Sequence, residues 1–263
     1  MYDFAYEKPA ELAAAVATLK ADGEAKALAG GQTFIPVLKQ RLNKPTTVVD
    51  LAKLGLVGIT VTATTVTIGA MTTHSAVAAS AEVKKAIPAL AALAGQIGDF
   101  QVRHRGTIGG SLANNDPSAC YPSAALALGA TITTDRRSIA AEDYFQGMFT
   151  TALEDGELIT SVSFPIPERA AYMKFRNPAS RYAMVGVFVA KFPAGVRVAI
   201  TGASQSGVFR HADFEKALSA NFSAGAIAGI KTPADGLNSD IHASAEYRAH
   251  LIGVMTKRAV EAA

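Results

Sequence analysis

The sequence has no tryptophan and a single cysteine, Cys120, among its 263 residues. One thiol cannot close an internal disulfide, and it cannot hold zinc or an iron–sulfur cluster unaided. Charge is sparse as well: 18% of residues are acidic or basic, and 25 Lys+Arg against 22 Asp+Glu leave a net +3. Without a dense basic stripe, that balance excludes a surface built for nucleic acid or for an anionic membrane. Long hydrophobic runs are missing too, and the strongest, Ala183–Ala190, is far shorter than a membrane span. What is present is small and apolar: 49% hydrophobic residues, 22 glycines and a mean hydropathy of +0.21. That suits one large domain or two modest ones with well-filled cores, and it argues against disorder. The opening MYDFAYEKP puts Asp3 and Glu7 where a secretory signal is basic and then apolar. Together with the lone thiol, this gives the expectation of a reducing, cytoplasmic setting.

Hydrophobic periodicity divides the chain. Pro9–Lys20 reads as an alanine-rich helix, Ala25–Ala29 as a short buried strand, Thr33–Leu42 as a helix with Pro36 in its first turn, and Thr47–Leu51 as a strand. Between Ile59 and Gly69, apolar residues alternate with threonines, the pattern of a half-exposed hairpin. Helical stretches at His74–Ala79 and Glu82–Ala94 precede a glycine-punctuated segment, Gly95–Pro117, then a helix near Ser118–Leu128 and a strand at Ala130–Thr134. From Leu158 the chain turns β-rich (Leu158–Phe164, Tyr172–Phe175, Ala183–Phe192, Val196–Thr201) before a closing helix over Ser244–Ala262. An α/β-like front followed by strands and terminal helices predicts an α+β protein with its main boundary near residue 170.

Two Gly-Gly turns carry the chemistry. In AGGQT (Ala29–Thr33), glycines between a strand and a helix permit a tight bend, and successive N–H groups can form an anion nest for a pyrophosphate. An ordinary tight connection has the same local sequence. TIGGS (Thr107–Ser111) is followed by the polar run LANNDP, where Asp116 offers a carboxylate to ribose or ribityl hydroxyls or simply starts the next helix. Neither turn has the G-x-G-x-x-G of a Rossmann site or the G-K-[ST] of a P-loop. Two such loops in one chain point to a single elongated, phosphate-bearing ligand. The five histidines show no close metal-ligand spacing.

AGGQTFIPVLKQRL, IGAMTTH (Ile68–His74) and QVRHRGTIGGSLANNDPSACYP (Gln101–Pro122) closely resemble the FAD-binding medium subunit of molybdenum hydroxylases, the carbon monoxide dehydrogenase type within the xanthine dehydrogenase family. Phe149–Val162 and Asp240–Val260 are similar to the same family, so the resemblance spans nearly the whole chain. It implies an FAD-binding domain of the vanillyl-alcohol oxidase type over residues 1–170, with α+β subdomains at about 1–55 and 56–170. A small C-terminal α+β domain with an antiparallel sheet follows over 171–263.

The resemblance also implies site residues. Ala29, Gly30, Gly31, Gln32 and Thr33 hold the FAD pyrophosphate through backbone amides, with Thr33 in place of the commoner serine. Thr107, Ile108, Gly109, Gly110 and Ser111 lie on the other side of the dinucleotide, with Ser111 where xanthine dehydrogenases tend to have asparagine. Cys120 stands where many relatives carry an acidic residue, which leaves Asp116 as the acidic contact of the loop; a small buried residue is the favoured reading of Cys120. Lys174 aligns with a flavin-contacting lysine or is a solvated strand residue. Tyr182 shields one flavin face or packs between domains. Ile159 lines the adenine side or belongs to the core, and His74 lies near the flavin or at a helix start capped by Thr72–Thr73. Arg103 and Arg105 neutralise phosphate, face a partner, or sit in a solvated loop.

As implied by the resemblance, this chain is an electron-transfer subunit with binding residues and no catalytic acid, base or nucleophile. A large subunit carries the molybdenum cofactor and a small subunit two [2Fe–2S] clusters, from which electrons pass through FAD to an external acceptor. A dimer of heterotrimers is the implied assembly. A stand-alone flavin oxidoreductase of the same fold and a non-catalytic FAD-binding assembly protein are the alternatives.

Overall fold

A computed structural model describes all 263 residues. Three sheets organise the chain. Strands Ala5–Glu7, Thr47–Asp50 and Lys26–Leu28 form a small parallel sheet with Thr47–Asp50 in the middle. A five-stranded antiparallel sheet follows in the order Ile59–Val61, Thr65–Gly69, Ile159–Pro165, Thr131–Thr134, Ser138–Ala140. Strands Arg169–Arg176, Ala183–Phe192, Gly195–Thr201 and Phe209–Arg210 make a separate antiparallel sheet. The chain is therefore α+β, and no helix is long and apolar enough to cross a membrane.

Local sequence explains where the helices break. The alanine-rich stretch after His74 becomes three short helices, His74–Ala79, Ala81–Ala86 and Pro88–Gly95. Ser80 caps the second through Val83 N–H at 3.2 Å, and Pro88, without an N–H to donate, opens the third. The first predicted helix begins at Leu12, leaving Pro9 outside. The glycine-punctuated stretch differs most from expectation, because it contains two helices, Phe100–Arg105 and Ile108–Asn114. Asp99 and Thr107 cap them, accepting from Val102 N–H at 2.8 Å and Gly110 N–H at 3.1 Å.

The largest core lies between the five-stranded sheet and the helices around Leu90, Leu112, Tyr121 and Leu128. Tyr172, Phe188, Ala190 and Ala199 of the last sheet pack into it. The other face of that sheet, with Val185, Val187 and Val189, packs against Leu251, Ile252 and Met255 of the Ala245–Ala262 helix. The unbroken apolar run Ala183–Ala190 is thus a strand buried on both faces. Each such buried Val or Phe side chain stabilises the fold by about 1.5–3 kcal/mol.

Polar contacts fix the last sheet onto the loop after the second glycine turn. Thr201 Oγ1 donates to the carbonyl of Pro117 (3.0 Å) or Ala119 (2.7 Å), and Gly202 N–H donates to Pro117 O at 2.8 Å. Glu142 receives both Arg197 and Arg210, the latter also paired with Glu215 at 2.7 Å. Behind the sheet, the buried Arg248 donates to the carbonyls of Met184 (2.7 Å) and Gly202 (3.1 Å) and pairs with Asp240 at 2.7 Å. Replacing Arg248 with Met removes the side-chain donor of the interior Met184 carbonyl, one of two on the Gly202 carbonyl, and the ion pair with Asp240. The expected loss is about 3 kcal/mol or more, read as a lower midpoint in urea unfolding; an unchanged midpoint contradicts this account.

Candidate functional site

The first glycine turn bends because Gly31 takes a left-handed conformation (φ +72°) that side-chain-bearing residues rarely adopt. The Phe34–Lys39 helix then starts with Pro36 in its first turn, where its missing N–H costs nothing. The backbone amides of Gly31, Gln32, Thr33 and Phe34 donate to no other group of the chain. A β-carbon on Gly30 would lie 2.0 Å from the Arg105 carbonyl oxygen, and one on Gly110 would lie 3.3 Å from Ala29 Cβ. The two glycine turns, about eighty residues apart in sequence, therefore touch.

They form one wall of a cavity of about 840 Å³, within the range of small-molecule and cofactor sites. Every sequence-predicted site residue lines it except Ile108: Ala29, Gly30, Gly31, Gln32, Thr33, His74, Thr107, Gly109, Gly110, Ser111, Asp116, Ile159, Lys174 and Tyr182. Ile108 points instead into the main core, fully buried, with its N–H donated to Thr72 O at 3.1 Å. That placement corrects its assignment to the site, since the Thr107-capped helix turns its side chain away. The second loop also differs chemically from the first. The amides of Gly109, Gly110 and Ser111 already donate to Ala70 O, Thr107 Oγ1 and Thr107 O. Free for a ligand on this side are the Ser111 hydroxyl, the Asn114 amide and one oxygen of Asp116, whose other oxygen accepts from Ser118 N–H at 2.8 Å.

Further cavity residues are not singled out by the motifs. Phe34 and Val37 lie on the Phe34–Lys39 helix, Val102 on the Phe100–Arg105 helix, Lys26 on its strand, and Met71, Asp99, Leu153 and Glu157 on connecting segments that the fold brings together. Glu157 is buried and bonded on all sides: Arg137 grips it through Nε (3.0 Å) and Nη2 (2.9 Å), Thr134 Oγ1 donates at 2.7 Å, and Glu154 N–H donates at 2.8 Å. The Arg137 contact holds its carboxyl down to about 2, against the opposing pull of burial. It anchors the start of the Ile159–Pro165 strand.

His74 sits at the head of its helix, capped by Thr73, which accepts from Ala76 N–H at 3.3 Å. Its ring passes so close to Gly106 that a β-carbon there would be 2.6 Å from Nε2. Burial, with a minor contribution from the Arg103 charge, lowers its pKa to about 4, so the imidazole is neutral at pH 7. Its buried Nδ1 has no partner in the chain. Tyr182, half exposed on the turn that Asn177 braces through Ala179 N–H (2.9 Å) and Ser180 N–H (3.1 Å), stands at the rim with no ring packed on it. No group of three or more His, Cys, Asp or Glu side chains converges on a metal-sized point.

Unpaired amides on one side, hydroxyl, amide and carboxylate groups on the other, and an apolar floor define a protein that holds an elongated cofactor bearing phosphates. Residues 2–167 match the family model described as the FAD binding domain in molybdopterin dehydrogenase. The carbon monoxide dehydrogenase medium chain of Afipia carboxidovorans is 35% identical over 99% of this chain and 96% of its own. The nicotine 6-hydroxylase medium subunit of Paenarthrobacter nicotinovorans is 34% identical over 97% and 95%. Among solved structures, quinoline 2-oxidoreductase from Pseudomonas putida 86 superposes with a TM-score of 0.89 at 30% identity, covering 99% of this chain and 96% of that one. The chain belongs to the FAD-binding medium subunits of molybdenum hydroxylases, a family of oxidoreductase components.

The residues present fit an FAD: the first loop has amides with no other use, and the second presents donors and a carboxylate with no bulk beside them. The neutral state of His74 has a consequence for stability. Its folded pKa lies below the unfolded value of 6.5, so its contribution is complete above pH 6.5 and is lost as pH falls towards 4. The loss is about 3 kcal/mol. His74→Gln should flatten the fall in stability across that window, measured by urea unfolding at stepped pH; a slope equal to that of the unmodified chain contradicts the assignment.

Proposed function

We propose that this chain takes electrons from [2Fe–2S] clusters of a small partner subunit and passes them through FAD to an external acceptor. Substrate oxidation belongs to a large subunit bearing the molybdenum cofactor. When bound, FAD supplies the two-electron and one-electron chemistry, and the protein supplies position and charge. The single observation that carries this reading is the apposed pair of glycine turns, one with unpaired amides at Gly31–Phe34 and the other offering Ser111, Asn114 and Asp116. Such amides suit the pyrophosphate, and the groups facing them suit the hydroxyls between pyrophosphate and flavin. Lys174 and Tyr182, together at the end formed by the last sheet, suit the isoalloxazine, while Ile159 suits the adenine side.

Likeness to medium chains along its full length, the last helix included, favours a subunit of a larger complex over a stand-alone reductase. The reading divides the chain into an FAD-binding domain over 1–170, with subdomains at about 1–55 and 56–170, and a C-terminal domain over 171–263; the separate strand sets of the three larger sheets support it. A dimer of heterotrimers in the cytoplasm is the assembly this reading expects.

The test is reconstitution of the purified chain with FAD, followed by desalting and a visible spectrum. The expected result is retained flavin absorbance at near one equivalent. Ser111→Leu puts bulk into the cavity without removing a hydrogen bond of the fold; it should weaken FAD binding at least tenfold while leaving the circular dichroism spectrum unchanged. Equal retention by Ser111→Leu contradicts the placement. Absence of flavin from both the chain and its co-expressed complex contradicts the function.

A further inference from the structure

Of the cations that line the cofactor cavity, Lys174 is the one that donates to a sulfur. Strand Arg169–Arg176 turns Ala171, Met173 and Phe175 towards the core behind the last sheet, and Tyr172, Lys174 and Arg176 towards the FAD-binding region. Lys174 Nζ reaches the cavity wall and donates to two neutral groups, the Gln96 carbonyl at 3.0 Å and Cys120 Sγ at 3.4 Å. It forms no ion pair, and neither does Arg176, whose Nη2 meets the side-chain oxygen of the same Gln96 at 3.4 Å. None of the carboxylates that line the cavity pairs with Lys174: Asp99 caps a helix, Asp116 gives one oxygen to Ser118 N–H, and Glu157 is gripped by Arg137. The Lys174 charge therefore has no carboxylate partner.

Cys120 is set firmly in place. It is 4% exposed, directly before the Tyr121–Leu128 helix, and its carbonyl accepts from the Ser123 hydroxyl at 2.8 Å. The buried Tyr172 hydroxyl, on the same strand face as Lys174, has no hydrogen-bond partner and occupies the space that Gly186 leaves by lacking a β-carbon. Burial raises the Tyr172 pKa, and the neighbouring Cys120 raises it further. Thiol, ammonium and orphaned hydroxyl thus form one small cluster at the cavity wall.

We propose that Cys120 is a positioning residue for Lys174: its sulfur, a weak acceptor in place of a carboxylate, pins the ammonium at the cavity wall, so that Lys174 favours the reduced, more negatively charged form of the cofactor. This inference rests on the FAD reading above. A carboxylate at position 120 would pin the lysine equally well but would neutralise it. A thiol accepts the N–H weakly and leaves the positive field intact. Cys120 thereby tunes the cofactor's potential through another residue, with no contact of its own to the reacting atoms required.

The test is a dye-equilibrated redox titration of the FAD-loaded chain, or of the FAD-loaded complex, followed in the visible spectrum. Lys174→Gln removes the charge and Cys120→Asp neutralises it. Each should shift the ratio of affinities for reduced and oxidised FAD at least tenfold towards the oxidised form, about 30 mV for a two-electron couple. Cys120→Ala combined with Lys174→Gln should shift it no further than Lys174→Gln alone. Cys120→Ala releases the lysine to solvent and should give part of that shift, and Cys120→Ser should restore the unmodified value. The Ala and Ser variants carry the test if Cys120→Asp does not fold. An unmodified potential in Cys120→Ala overturns the proposal, as does a Cys120→Ala effect that persists in full in the Lys174→Gln background. Failure of the FAD reading looks different, because no variant would then retain flavin.

Discussion

The site depends on a close approach of two backbone segments. Gly30 lies so near the Arg105 carbonyl that any β-carbon would have to displace main chain, which cannot yield as a flexible side chain can. A little further on, Gly110 leaves room for Ala29. These contacts join the small parallel sheet to the helical segment between two strands of the five-stranded sheet, and they face two chemically different surfaces towards one cavity. The first presents amides with no partner in the chain, and the second has spent its amides on its own helix. The absence of side chains at the junction is what lets both surfaces reach a single elongated ligand.

The remaining structure serves to hold this junction and to close the cavity's far end. Thr201 and Gly202 of the last sheet bind the carbonyls of Pro117 and Ala119, so the polar loop after the second glycine turn cannot drift from the domain that supplies Lys174 and Tyr182. Glu157, locked by Arg137, Thr134 and Glu154, fixes the segment that supplies Leu158 and Ile159. Glu157 is thus committed to the fold and Asp116 keeps one oxygen free, while Lys174 is left with a carbonyl and a thiol. Charge in the cavity follows from which partners the fold has already occupied.

Much of this is legible in the sequence, for identifiable reasons. The glycine turns stand out because backbone bends and close approaches require glycine there, and the Ala183–Phe192 strand stands out because burial on both faces leaves an unbroken apolar run. The two helices within Gly95–Pro117 are not legible, since their helical character comes from the Asp99 and Thr107 caps and from packing, against weak intrinsic propensity. Ile108 was drawn into the site by its place between Thr107 and Gly109, but helical geometry turns it into the core. Reading Cys120 as a small buried residue agrees with its burial; its contact with Lys174, 54 residues away, is a tertiary fact that no local pattern encodes. The same holds for Glu157, whose role is set by Arg137 and Thr134 across the sheet.

That one cofactor bridges both glycine turns is tested most directly by amide hydrogen exchange of the chain with and without FAD. The account predicts slowed exchange at Gly31, Gln32, Thr33 and Phe34, whose amides have no partner in the protein alone, with added protection across Ser111–Asp116 on the facing loop. Protection confined to one of the two segments, or lying wholly outside them, would contradict it.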